Sequence, residues 1–79
     1  MVLHERVLKV FREVLEIRGE VRTSDLHYND TPHWDSLGHI TLVAALESEF
    51  DIMIDTDEVL AMNSYDKALE IVQSHSVAA

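Results

Sequence analysis

Cysteine is absent from this 79-residue chain, so it can build no disulfide framework, no thiolate metal site and no cysteine nucleophile. No apolar run reaches the roughly 20 residues that a helix needs to cross a bilayer. The opening Met1-Val2-Leu3-His4-Glu5-Arg6 carries charge too early for a signal peptide, which makes a cytoplasmic protein the expectation. Proline occurs once, at Pro32, and glycine only at Gly19 and Gly38, so little in the chain interrupts a helix. Neither an internal repeat nor a low-complexity tract is present. Cations are scarce as well: beyond Arg22 the only lysine or arginine is Lys67.

What is present is apolar and acidic. Hydrophobic residues make up 47% of the chain, enough for one small core and a single domain over residues 1–79. The net charge of −9 comes from 15 acidic and 6 basic side chains. Arg6, Lys9, Arg12, Arg18 and Arg22 nearly balance the acids of the first segment, whereas Asp25, Asp30, Asp35, Glu47, Glu49, Asp51, Asp55, Asp57, Glu58, Asp66 and Glu70 face Lys67 alone. Such a field repels nucleic acid and anionic membrane and steers the protein toward basic partners; solvated helix faces that serve only solubility would give the same composition.

Periodicity predicts four helices and no strand. Leu3, Val7, Val10, Val14 and Ile17 recur at helical spacing over residues 3–18, and Gly19 is placed to stop that helix. A long polar loop follows, with a short turn expected around residues 24–28. The second helix spans 36–50, capped by Asp35, and its apolar set of Leu37, Ile40, Leu42, Val43, Ala44, Leu46 and Phe50 is too broad to be wholly buried. Residues 51–54 read as a connector whose apolar side chains dip into the core. A brief third helix follows over 56–62, with Asp55 or Thr56 as cap, and a fourth over 64–73, capped by Ser64, with fraying from Gln73 to Ala79. The fold class is therefore all-α, a small four-helix bundle.

The chemistry concentrates at Asp35-Ser36-Leu37. Ser36 follows a helix cap and stands at the positive end of the next helix, where a phosphate ester is favoured by the dipole and by first-turn N–H groups. Gly38 leaves the surface beside it unobstructed. Catalysis by Ser36 with His33 or His39 is disfavoured, because no G-x-S-x-G elbow surrounds it and no third triad member is evident. Asp51, Asp55, Asp57 and Glu58 lack the glycine and terminal glutamate of an EF-hand, so loose divalent binding is all they suggest. His27, His33 and His39 fit no zinc spacing, and Trp34 reads as an anchor of the loop.

Asp35-Ser36-Leu37, followed by Leu42-Val43-Ala44-Ala45-Leu46-Glu47-Ser48-Glu49-Phe50-Asp51, resembles the second helix of acyl carrier proteins, and the likeness continues through Ile54, Asp57-Glu58 and the last helix. The resemblance implies that Ser36, with Asp35 beside it, carries 4′-phosphopantetheine transferred from coenzyme A by a separate phosphopantetheinyl transferase. The arm's thiol would hold an acyl, polyketide or aminoacyl group as a thioester, which also makes the lack of cysteine harmless. The chain would then be no enzyme but a monomeric carrier, presenting its cargo to acyl-activating or acyl-transferring enzymes and synthases with basic docking surfaces. Leu37, Ile40, Thr41 and Glu47 on the second helix and Asp57 and Glu58 on the third are the residues expected to meet them.

The chain departs from the fatty-acid pattern at Thr41 and Ser48, where those carriers usually have glutamate, and at Ala44, where they often have methionine. The departures point to a free-standing carrier of polyketide, nonribosomal-peptide or related specialised biosynthesis. Two other readings remain at this level: an acidic helical module that binds a basic protein without any arm, and a carrier-like domain whose Ser36 is simply phosphorylated.

Overall fold

The computed structural model describes residues 2–77 and gives the element order α1 (Val2–Leu15), α2 (Ser36–Phe50), α3 (Thr56–Ala61) and α4 (Tyr65–Val77), with one turn of 3-10 helix at Thr23–Asp25 inside the long loop. It is an all-α four-helix bundle. The only β pairing among the described residues is an isolated antiparallel bridge between His27 and Ser64.

The first helix buries Val7, Val10, Phe11 and Leu15 and stops earlier than its periodicity suggested. Glu16 takes the left-handed conformation at φ 56°, and the Ile17 N–H returns to the Arg12 carbonyl at 3.0 Å, closing a Schellman turn. Turning there lets Ile17 and Val21 pack against the core, a gain that outweighs the cost of placing a non-glycine residue in that conformation. Gly19 is therefore not the helix stop. It lies in the loop at φ 74°, and its carbonyl accepts from the Arg12 guanidinium at 2.7 Å.

The second helix ends in the same way, with Asp51 at φ 55° and the Ile52 N–H on the Glu47 carbonyl at 3.2 Å. It buries Leu42, Val43 and Leu46. Arg6 fastens it to α1: its Nε meets a Glu49 carboxylate oxygen at 2.9 Å, Nη2 donates to the Glu49 carbonyl at 2.8 Å, and the guanidinium lies 4.5 Å from the centre of the Phe50 ring. In the connector Ile54 is buried and Ile52 partly so, but Met53 turns outward and is 83% exposed.

Asp55 caps α3 through a reciprocal capping box with Glu58, and Ser64 caps α4 by accepting the Lys67 N–H at 3.1 Å. The fourth helix does not fray at Gln73. Ser74 Oγ donates to the Ile71 carbonyl, and the His75 ring meets the Glu58 carboxylate at 2.9 Å, so its last turns are tied to α3. Ala78 and Ala79, also expected to fray, lie outside the described residues.

Phe11 sits at the centre of the core, with ring centroids 5.2 Å from Trp34 and 4.9 Å from Tyr65, both in edge-on contact. The long loop is sewn across the bundle: Tyr28 donates its N–H to the Asn63 carbonyl, and Tyr65 donates its own to the Leu26 carbonyl. The segment leading into α2 is thereby fixed from both sides.

Candidate attachment site

Ser36 is exposed and occupies the first position of α2. The Asp35 carboxylate accepts the Gly38 N–H at 2.9 Å, the usual capping bond to the third helical residue. Gly38 has a further, purely steric reason to lack a side chain. A Cβ there would collide with the His33 carbonyl, because the loop backbone, with His33 at φ 73°, lies directly on the first turn of the helix. Glycine at this position is what allows the loop to close over the start of α2.

Trp34 is fully buried, as an anchor should be. Its indole N–H donates to Nδ1 of His39 at 2.9 Å, so that nitrogen is an acceptor and the proton of the neutral ring belongs on Nε2. Nε2 then donates to the Val59 carbonyl of α3, also at 2.9 Å. One imidazole thus couples the loop, α2 and α3. The Tyr28 ring packs edge-on against His39, centroids 5.2 Å apart, and brings its hydroxyl to 3.2 Å from Ser36 Oγ. Tyr28, His39, Val59, Leu60, Met62 and Asn63 surround an open cavity of about 140 Å³.

The residues expected to meet partners divide into two groups. Leu37 and Ile40 are 74% and 66% exposed, and Thr41 lies exposed beside them with its hydroxyl returned to the Leu37 carbonyl at 3.1 Å. At 100° per residue, Leu37, Ile40, Thr41, Ala44 and Ser48 fall on one open face without a charge. The acids are placed differently. A Glu47 carboxylate oxygen accepts the Ile54 N–H at 2.9 Å, so this side chain braces the connector. Glu49 is held by Arg6. Glu58 is shared between the Asp55 N–H and His75, and these contacts, the His75 bond first, hold its carboxyl below the ordinary 4.5. Asp57 alone of the proposed acids stands exposed on α3 without such a contact among the described residues.

Tyr28 and the bridging role of His39 were not recovered from the sequence. The available signals were faint: one tyrosine in a polar loop, and a histidine one helical turn after the serine. Among the described residues no three His, Asp or Glu side chains converge as a cation cage requires. No helix of the described residues is long and apolar enough to cross a membrane.

No family model matches the chain. Curated relatives do: proteins named acyl carrier protein from three strains of Buchnera aphidicola subsp. Acyrthosiphon pisum, 5A, Tuc7 and APS, are each 33% identical over 75 residues, covering 95% of this chain and 94% of the relative. The chain belongs to the acyl carrier protein family. As an acyl carrier protein it is a carrier and not an enzyme. The geometry fits a prosthetic group on Ser36: the nucleophilic oxygen is open to solvent, the helix N-terminus favours an anion, and a second hydroxyl, that of Tyr28, stands beside it.

Proposed function

We propose that Ser36 is the attachment point of 4′-phosphopantetheine and that the protein presents acyl, polyketide or aminoacyl cargo to a series of enzymes in the cytoplasm. The observation that carries this reading is an exposed serine hydroxyl at the first position of a capped helix, in a chain of this family. The arm supplies the thiol that holds the cargo; the chain supplies the anchor, with Asp35 fixing the helix start and Gly38 admitting the loop beside it.

The carrier is best suited to a specialised pathway rather than to primary fatty-acid synthesis. The uncharged open face of α2 supports this, because both of that helix's carboxylates are occupied within the molecule. Leu37, Ile40 and Thr41 would meet partners by apolar contact, and Asp57 would give the longer-range attraction to basic docking surfaces. Transient, modest interfaces of this kind suit a protein that must release each partner in turn.

Intact mass spectrometry tests the assignment. Incubation with a broad-specificity phosphopantetheinyl transferase and coenzyme A should add one phosphopantetheine to the wild type and none to Ser36→Ala, with the helical circular dichroism of the two alike. Modification that persists in the variant, or a wild type left unmodified while a control carrier is converted, excludes the role. An unmodified wild type that still captures basic proteins would indicate an interaction module instead.

A further inference from the structure

Resting on the reading of Ser36 as the modified residue, we infer that Tyr28 is the positioning residue for the phosphodiester formed there, its phenol donating to the phosphate and setting the direction in which the arm leaves the surface. Three observations carry the inference. The Tyr28 hydroxyl is already within 3.2 Å of Ser36 Oγ, and it reaches that point from the long loop that precedes α2. The ring has little freedom. It is half-buried, lies edge-on to both His39 and Trp34, and its own backbone N–H is bonded to the Asn63 carbonyl at 2.9 Å. And the residue lines the 140 Å³ cavity together with Val59, Leu60 and Met62 of the α3 region.

The chemistry of the two hydroxyls explains why the contact gains importance on modification. In the unmodified chain either oxygen can donate to the other. Once Ser36 Oγ is an ester oxygen it has no proton to give and becomes a poor acceptor, while a phosphodiester brings one negative charge spread over two strong acceptor oxygens. The phenol keeps its proton and becomes the side-chain donor at that position, in a charge-assisted hydrogen bond stronger than the neutral one it replaces. The neighbouring Asp35 carboxylate cannot compete, since it is an acceptor and is engaged by Gly38. No lysine or arginine lies between Arg22 and Lys67 in the sequence to take the part that a cation would play.

Tyr28→Phe is the test, because it removes the hydroxyl and keeps the ring that packs on His39. Both proteins are converted to the modified form and their mass is checked, and phosphorus NMR is then recorded folded and in urea. The expected result is equal mass gain in both, with a wild-type phosphorus resonance displaced from its unfolded position and a Tyr28→Phe resonance moved most of the way back. Equal mass gain with superimposable folded resonances overturns the assignment of Tyr28 and leaves the carrier reading standing. Absence of any mass gain in either protein overturns both. Should Tyr28→Phe fail to fold, fluorine NMR of the wild-type sequence labelled with 3-fluorotyrosine decides the matter: the chain has two tyrosines, and modification should shift the Tyr28 signal while leaving that of Tyr65, whose hydroxyl is bonded to His4, in place. A Tyr28 signal unmoved by modification overturns the assignment.

Discussion

A methyl group at position 38 would meet the carbonyl oxygen of His33, and backbone cannot yield as a flexible side chain can. Gly38→Ala should therefore destabilise the protein by about 1–3 kcal/mol, as overpacking does, although alanine in a helix is ordinarily favoured over glycine by about 1 kcal/mol. A urea titration checks this, and a variant at least as stable as wild type would show that the loop does not rest on the helix. Protons report on two other single residues. Glu58 has its carboxyl held below 4.5 by the His75 and Asp55 contacts, so it favours the folded state above its unfolded value and loses that contribution as pH falls through its lowered titration. The acid limb of a melting-temperature profile below pH 4.5 should accordingly flatten in Glu58→Gln. Tyr65 behaves in the opposite sense: burial, aided by Asp66, pushes its phenol up to about 12. The unfolded chain releases that proton near 10, so stability should fall as pH rises between 10 and about 12, and Tyr65→Phe should abolish that component.

Within α2, one face lies open and the other builds the core, and substitutions should separate them. Leu37→Ala removes an exposed side chain and should leave the melting temperature almost unchanged while slowing transfer by a cognate enzyme, an effect insensitive to salt. Glu47→Lys should instead weaken the fold by about 1–3 kcal/mol, since the Ile54 N–H loses a charged acceptor. A Glu47 variant of full stability whose transfer rate depends on salt would return that residue to the docking surface. The sequence made the starts of these elements legible, because caps are local chemistry: Asp35, Asp55 and Ser64 each act within three residues of themselves. The ends were less legible. The turn at Glu16 depends on where Ile17 and Val21 find a core, and the persistence of α4 past Gln73 depends on Glu58, seventeen residues before His75. The serine could be picked out for the same local reason, whereas Tyr28 could not, since nothing near it announces which way its ring points.

For the molecule as a whole, the excess of negative charge lies beyond Arg22, where Lys67 is the only lysine or arginine. Raising ionic strength should lift the melting temperature by screening repulsion, and Mg²⁺ or Ca²⁺ should do no more than a monovalent salt at equal ionic strength, because no three carboxylates or imidazoles converge among the described residues. A large selective effect of one divalent ion would contradict that distribution. The contacts around Ser36 have another property, which concerns the order of assembly. Asp35 reaches Gly38, Trp34 reaches His39, and Tyr28 reaches Ser36, separations of three, five and eight residues. Loops that short close at small entropic cost, whereas joining Tyr28 to Asn63 or Arg6 to Glu49 closes much longer loops. The serine's immediate frame is thus topologically self-contained, a nearly autonomous turn that the distant contacts lock rather than create. Native-state hydrogen exchange should show it: the Gly38 and His39 amides should keep protection in partial openings that release the bridge between His27 and Ser64.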